Sequence, residues 1–210
     1  MELLPLLLAA VLGSAAAADP QTWSKVKFEP CKDGDATQQW KFEHDPSENK
    51  PTQIVNEADG RCLQTDECGF QKDQYARVVV DSCAKKYTCE SKHTQWQPSS
   101  AAGFLGLQNE GNTAAHWCLN NVGSWDPPDG EGKAWTVVWN VAQASCADSG
   151  INSQWQYDKD KRSLKSPSGP REDGASCTAT TCCLTAEPCV APCVPLSGAC
   201  APFPCIATVR

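Results

Sequence analysis

Asn152-Ser153-Gln154-Trp155 is the third appearance of one pattern, after Thr37-Gln38-Gln39-Trp40 and His93-Thr94-Gln95-Trp96. Each tryptophan follows a glutamine, and each is followed 22 residues later by a cysteine: Cys62, Cys118 and Cys177. Upstream, a cysteine precedes the tryptophan by nine residues at Cys31 and Cys146 and by thirteen at Cys83, where the longer interval carries Cys89. Equal intervals in one chain signal an internal repeat, and its period settles the architecture before any single residue does. Here the tryptophans are 56 and 59 residues apart. That is too long for one propeller blade or solenoid turn and suits a closed barrel of three units with about four strands each.

The segments around these landmarks are strand-like. Val26-Lys27-Phe28, Val78-Val79-Val80 and Trp135 to Val141 are rich in β-branched and aromatic side chains. Turn residues punctuate the gaps at Asp33-Gly34, Asp59-Gly60, Asp126 to Gly130 and Pro167 to Pro170. No helical period persists for three turns, so an all-β chain is expected.

Met1 to Ala18 reads as a secretory signal, with an apolar run from Leu3 to Leu12 and small residues ahead of Asp19, although Glu2 stands where a basic residue is usual. The run is too short for a membrane span, which needs about 20 apolar residues. Fourteen cysteines in a chain entering an oxidising route imply disulfides, and secretion follows as the expected location. The histidines His44, His93 and His116 are scattered, so no metal and no cofactor is expected. A net charge of −7 argues against nucleic acid and anionic membrane as partners. Residues 19–187 are read as one domain and 188–210 as an irregular tail, because Cys182 to Cys205 combines six cysteines with five prolines.

The order Cys-Leu-polar, then a Val-rich strand ending in Cys, then a Trp preceded by Gln resembles the Gln-x-Trp repeat of ricin B-type lectins. It runs through Cys62-Leu63-Gln64, Val78 to Cys83 and Gln95-Trp96, then through Cys118-Leu119-Asn120, Thr136 to Cys146 and Gln154-Trp155, over roughly residues 25 to 185. The resemblance implies a disulfide-rich β-trefoil whose tryptophans Trp40, Trp96 and Trp155 are core. It implies bonds Cys62 to Cys83 and Cys118 to Cys146, and a third joining Cys31 to Cys177 or Cys183, so that the two ends of the chain share one leaf. Cys68 and Cys89 are read as further disulfide cysteines. A competing reading makes Cys183-Leu184-Thr185 the start of another unit in a longer chain.

In that family a working leaf holds a sugar with an Asp two residues after the opening Cys, an aromatic in the next strand and an Asn-Gln pair before the Trp. The first leaf offers Gln64, Asp81 and His93-Thr94, and the shared leaf offers Ala179 or Thr185, Glu29 and Thr37-Gln38. Both look degenerate. The middle leaf keeps Asn120, Trp139 and Asn152, with Ser153 in place of Gln and Trp125 on the acidic loop Ser124 to Lys133. These five residues form the candidate carbohydrate site, with glycans or glycoproteins as partners and no catalytic residues. Paired acids such as Glu57 and Asp59 read as solvated turn residues, and no nucleophile, phosphate-loop or zinc-protease motif occurs. The alternative is a trefoil that has lost its sugar sites and serves as an accessory or protein-interaction module, including as the front part of a larger secreted glycan-processing enzyme. A protease inhibitor with Asp126 to Gly130 as its protruding loop is a third reading.

Overall fold

The computed structural model describes residues 24–65, 75–84, 92–110, 116–120, 137–141, 146–148, 153–167 and 181–188, without the side chains of 75–77, 116 and 137–141. The expected signal segment, Trp125, Asn152, Cys68, Cys89, Cys177 and the tail from residue 189 lie outside the described residues. What is described is all-β, in curled antiparallel sheets with three short 3₁₀ turns and no α-helix. The strands are β1 Ser24–Pro30, β2 Trp40–Phe42, β3 Ile54–Asn56, β4 Cys62–Thr65, β5 Tyr75–Asp81 and β6 Trp96–Ala101. They continue with β7 Phe104–Asn109, β8 His116–Asn120, β9 Val137–Val141, β10 Gln156–Asp158, β11 Ser163–Lys165 and β12 Cys182–Ala186.

Three antiparallel pairs carry the opening cysteines: β4 with β5, β8 with β9, and β12 with β1. In each, the cysteine lies opposite an equivalent residue, Cys62 across from Asp81, Cys118 across from Trp139 and Cys183 across from Glu29. Each pair is then strapped by a disulfide to a cysteine further along the second strand's path: Cys62 to Cys83, Cys118 to Cys146 and Cys183 to Cys31. Three hairpins, β2–β3, β6–β7 and β10–β11, begin at or beside the Gln-x-Trp tryptophans. The β6–β7 turn has two residues, Ala102 and Gly103, both at positive φ (50° and 82°). That is the geometry a tight hairpin needs to follow strand twist, and glycine adopts it without strain.

The structure decides between the two partners expected for Cys31. Of the two candidates, Cys177 is not it, and Cys31 bonds Cys183, with 5.0 Å between their Cα atoms. The reason is register: Val26 to Pro30 pairs residue by residue with Ala186 to Cys182, which brings Cys183 beside the exit of β1. The same pairing ties Cys183-Leu184-Thr185 back to the first strand, against the reading in which it opens a further unit. Cys182, next to it and buried, is also disulfide-bonded.

The core is organised around the tryptophans. Trp40, Trp96 and Trp155 are each 0% exposed. Each indole Nε1 donates to the carbonyl of the leucine that follows an opening cysteine: Trp40 to Leu184 (2.8 Å), Trp96 to Leu63 (2.8 Å) and Trp155 to Leu119 (3.0 Å). A large apolar ring with one donor suits such a place only when that donor is satisfied. Their backbones also close a cycle. Trp96 N–H donates to Thr52, Trp155 N–H to Leu105 and Trp40 N–H to Arg162 (2.9, 2.8 and 2.7 Å), so each tryptophan is anchored on the hairpin that follows another. Gly106 lets β7 approach the 3₁₀ turn at Cys146–Asp148 closely, because a Cβ there would sit 2.6 Å from the carbonyl carbon of Cys146.

Candidate functional site

Asn120 ends β8, opposite Val137, and Ser153 lies two residues before Trp155. The fold brings them together: Asn120 Nδ2 donates to Ser153 Oγ at 2.9 Å, with Asn120 8% and Ser153 1% exposed. The amide oxygen of Asn120 has no hydrogen-bond partner, so one acceptor remains fixed in place by the bond made on the other side of the same amide. Trp139 lies two residues from Val137 on β9, with its backbone in register with Cys118. Its side chain, Asn152 and Trp125 are outside the described residues, so the structure brings together two of the five candidate residues.

The equivalent positions elsewhere are engaged differently. In the unit shared by the chain ends, Gln38 Nε2 donates to Thr185 Oγ1 (3.1 Å) and to the carbonyl of Pro30 (3.0 Å), while its Oε1 accepts from Lys32 N–H (2.8 Å). That amide is spent on structure. In the first unit Gln64 is 0% exposed and neither amide atom has a partner. Its neighbour Thr94 instead accepts from Gln53 (3.4 Å). Where the family scheme wants an aromatic, Asp81 is buried and binds the Ser82 N–H, and Glu29 is paired with Lys27 at 2.7 Å. Glu57 and Asp59, weighed above as paired acids, are each taken by an arginine, Glu57 by Arg162 and Asp59 by Arg61.

A second site was not anticipated. A pocket of about 300 Å³ opens between the Cys31 to Gln39 segment and the β10–β11 hairpin, and Cys31 and Cys183 both line it. The sequence signal for it is the charged tip Lys159-Asp160-Lys161-Arg162, which the turn residues around it disguise as an ordinary loop. That tip is fastened by ion pairs, Lys159 to Asp45 (2.7 Å), Lys161 to Asp33 (2.7 Å) and Arg162 to Glu57. Hydrogen bonds from Lys159 and from Ser47 hold the Asp45 carboxyl below its ordinary value of 3.8, and Lys161 does the same for Asp33. A lowered carboxylate pKa gives stability that is present above the ordinary value and lost as pH falls through the folded one. The thermal midpoint is therefore expected to fall as pH is taken from 5 to 2, and Asp45→Asn to flatten that slope. An Asp45→Asn profile parallel to the parent's would remove this assignment. Both carboxylates are solvent-exposed, so added salt weakens the pairs.

Among the described residues no group of His, Cys, Asp and Glu could hold a metal ion, and no helix is long and apolar enough to cross a membrane. Neither the protein-family models nor the curated proteins give a match to this chain.

Proposed function

We propose that the chain is a secreted β-trefoil of the ricin B-type lectin kind, a non-catalytic module that binds glycans weakly through its middle leaf. The trefoil reading draws its support from what recurs three times: a cysteine-strapped strand pair, a tryptophan donating to the leucine after the opening cysteine, and a closed cycle of backbone bonds. The glycan reading is carried by one observation, the Asn120 amide held by Ser153 with its oxygen unpartnered. That acceptor is shut off from solvent here, so the reading requires it to be uncovered before it takes a sugar hydroxyl, while an aromatic from β9 covers the C–H face of the ring. Such sites are weak singly. Millimolar affinity corresponds to about 4 kcal/mol.

Titration of the purified protein against a glycan array and then against the best monosaccharide is expected to show millimolar binding. Asn120→Ala and Trp139→Ala should each weaken it at least tenfold with the fold retained. A flat array, or a Trp139→Ala protein that binds like the parent, removes the glycan reading. The burial of Gln64 and the three bonds made by the Gln38 amide then favour the second reading, an accessory or protein-interaction trefoil without sugar sites.

A further inference from the structure

We propose that the pocket between the Cys31 to Gln39 segment and the β10–β11 hairpin binds a small zwitterion, a molecule with an ammonium and a carboxylate a few ångströms apart, as in a free α-amino acid. The pocket is lined by three cations, Lys32, Lys161 and Lys165, and three carboxylates, Asp33, Asp35 and Asp160. Lys161 and Asp33 satisfy each other at 2.7 Å, which leaves two groups of each sign.

The two remaining ammonium groups are loosely held. Lys32 is 3.9 Å from Glu29 and Lys165 is 3.6 Å from Asp158, distances beyond a hydrogen bond and to carboxylates that do not line the pocket. Both can turn to a ligand carboxylate without breaking a tight pair. Ser163 is 6% exposed in the pocket wall, and its buried hydroxyl has no partner, so turning it toward the same group breaks no internal bond. On the acidic side, one oxygen of Asp35 caps Thr37, accepting from its N–H (3.0 Å) and its hydroxyl (2.6 Å), and the other is left for an ammonium. Asp160, exposed on the facing hairpin, lines the same pocket.

Charge selects the class of ligand. A simple anion would be drawn to Lys32 and Lys165 but opposed by Asp35, Asp160 and the net charge of −7. A simple cation meets the converse opposition. A neutral sugar lacks the aromatic platform that its C–H face requires, since among the described residues no aromatic side chain lines the pocket. A zwitterion satisfies both halves at once, and about 300 Å³ accommodates one of amino-acid size.

The test is a titration of the disulfide-intact, isotope-labelled protein with L-alanine, acetate or methylammonium, followed by backbone amide shifts. L-Alanine is expected to give saturable shifts at Lys32 to Asp35 and Ser163 to Lys165, with acetate and methylammonium at least tenfold weaker. Lys165→Met should reduce L-alanine affinity at least tenfold and Ser163→Ala several-fold, with thermal midpoints close to the parent's. Lys32→Met replaces Lys165→Met if the latter fails to fold. No saturable shift, or acetate binding as well as L-alanine, overturns the proposal. It does not rest on the glycan reading: a flat glycan array leaves it standing, and methyl galactoside shifting these amides in place of L-alanine sinks it.

Discussion

Replacing Cys31 and Cys183 together by alanine is expected to lower the free energy of unfolding by about 5 kcal/mol, while removing Cys62 and Cys83 costs about 3 kcal/mol. The difference comes from the unfolded chain. A bond between residues separated by 152 positions forbids far more conformations than one between residues separated by 21, and the entropy removed grows with the logarithm of the loop. Since a domain of this size has only about 5–15 kcal/mol to lose, the first double variant should be partly unfolded at modest denaturant. Equilibrium unfolding in urea of the two double variants and the parent measures both numbers. Equal losses, or a larger loss for the Cys62–Cys83 pair, would contradict the closure argument.

Trp155→Ala is expected to cost about 4–6 kcal/mol. Truncating a fully buried aromatic costs about 3–5 kcal/mol through lost burial and the cavity left behind, and the Leu119 carbonyl loses the donor that Nε1 supplied at 3.0 Å. Phe28, stacked on the Trp155 ring at 5.6 Å, loses its neighbour as well. Trp155→Phe restores most of the volume and leaves the carbonyl unmet, so its cost of about 1–3 kcal/mol isolates the hydrogen bond. Trp40→Ala and Trp96→Ala should fall in the same range, because each indole makes the same bond to the corresponding leucine. A Trp155→Ala protein within 1 kcal/mol of the parent by denaturant unfolding would refute the role assigned to these residues.

How far the sequence could be read depended on whether a residue's role is set by spacing or by pairing. The tryptophan landmarks and the all-β class were legible because short strands keep landmark intervals nearly constant, and the Cys62–Cys83 and Cys118–Cys146 bonds followed from the family resemblance those landmarks carry. The interval from Trp155 to Cys177 matches the other two in number but not in place. The residue that faces β1 is Cys183, six positions later, because register is fixed by cross-strand bonds and not by counting. Trp139, by contrast, stands where the repeat implies, across from Cys118 as Asp81 stands across from Cys62. The polar site was only half legible. Sequence can nominate Asn120 and Ser153, but that one amide hydrogen is consumed between them while Gln38 is tied up three ways depends on distances between residues up to 147 positions apart. For the pocket by Lys165 the sequence offered only the charged tip Lys159 to Arg162, since its two walls come from opposite ends of the chain.

The pairing of β1 with β12 has a kinetic consequence. On the ribosome, Ser24–Pro30 emerges first, yet its longest partner, Cys182–Ala186, leaves the exit tunnel only after some 150 further residues have been made. Until then the nascent chain carries an unmet strand edge and an unoxidised thiol at Cys31, the kind of species that is prone to mispair. Folding dominated by such distant contacts is slow. The Cys31–Cys183 bond is therefore expected to close late, after early, wrong partners of Cys31 have been exchanged.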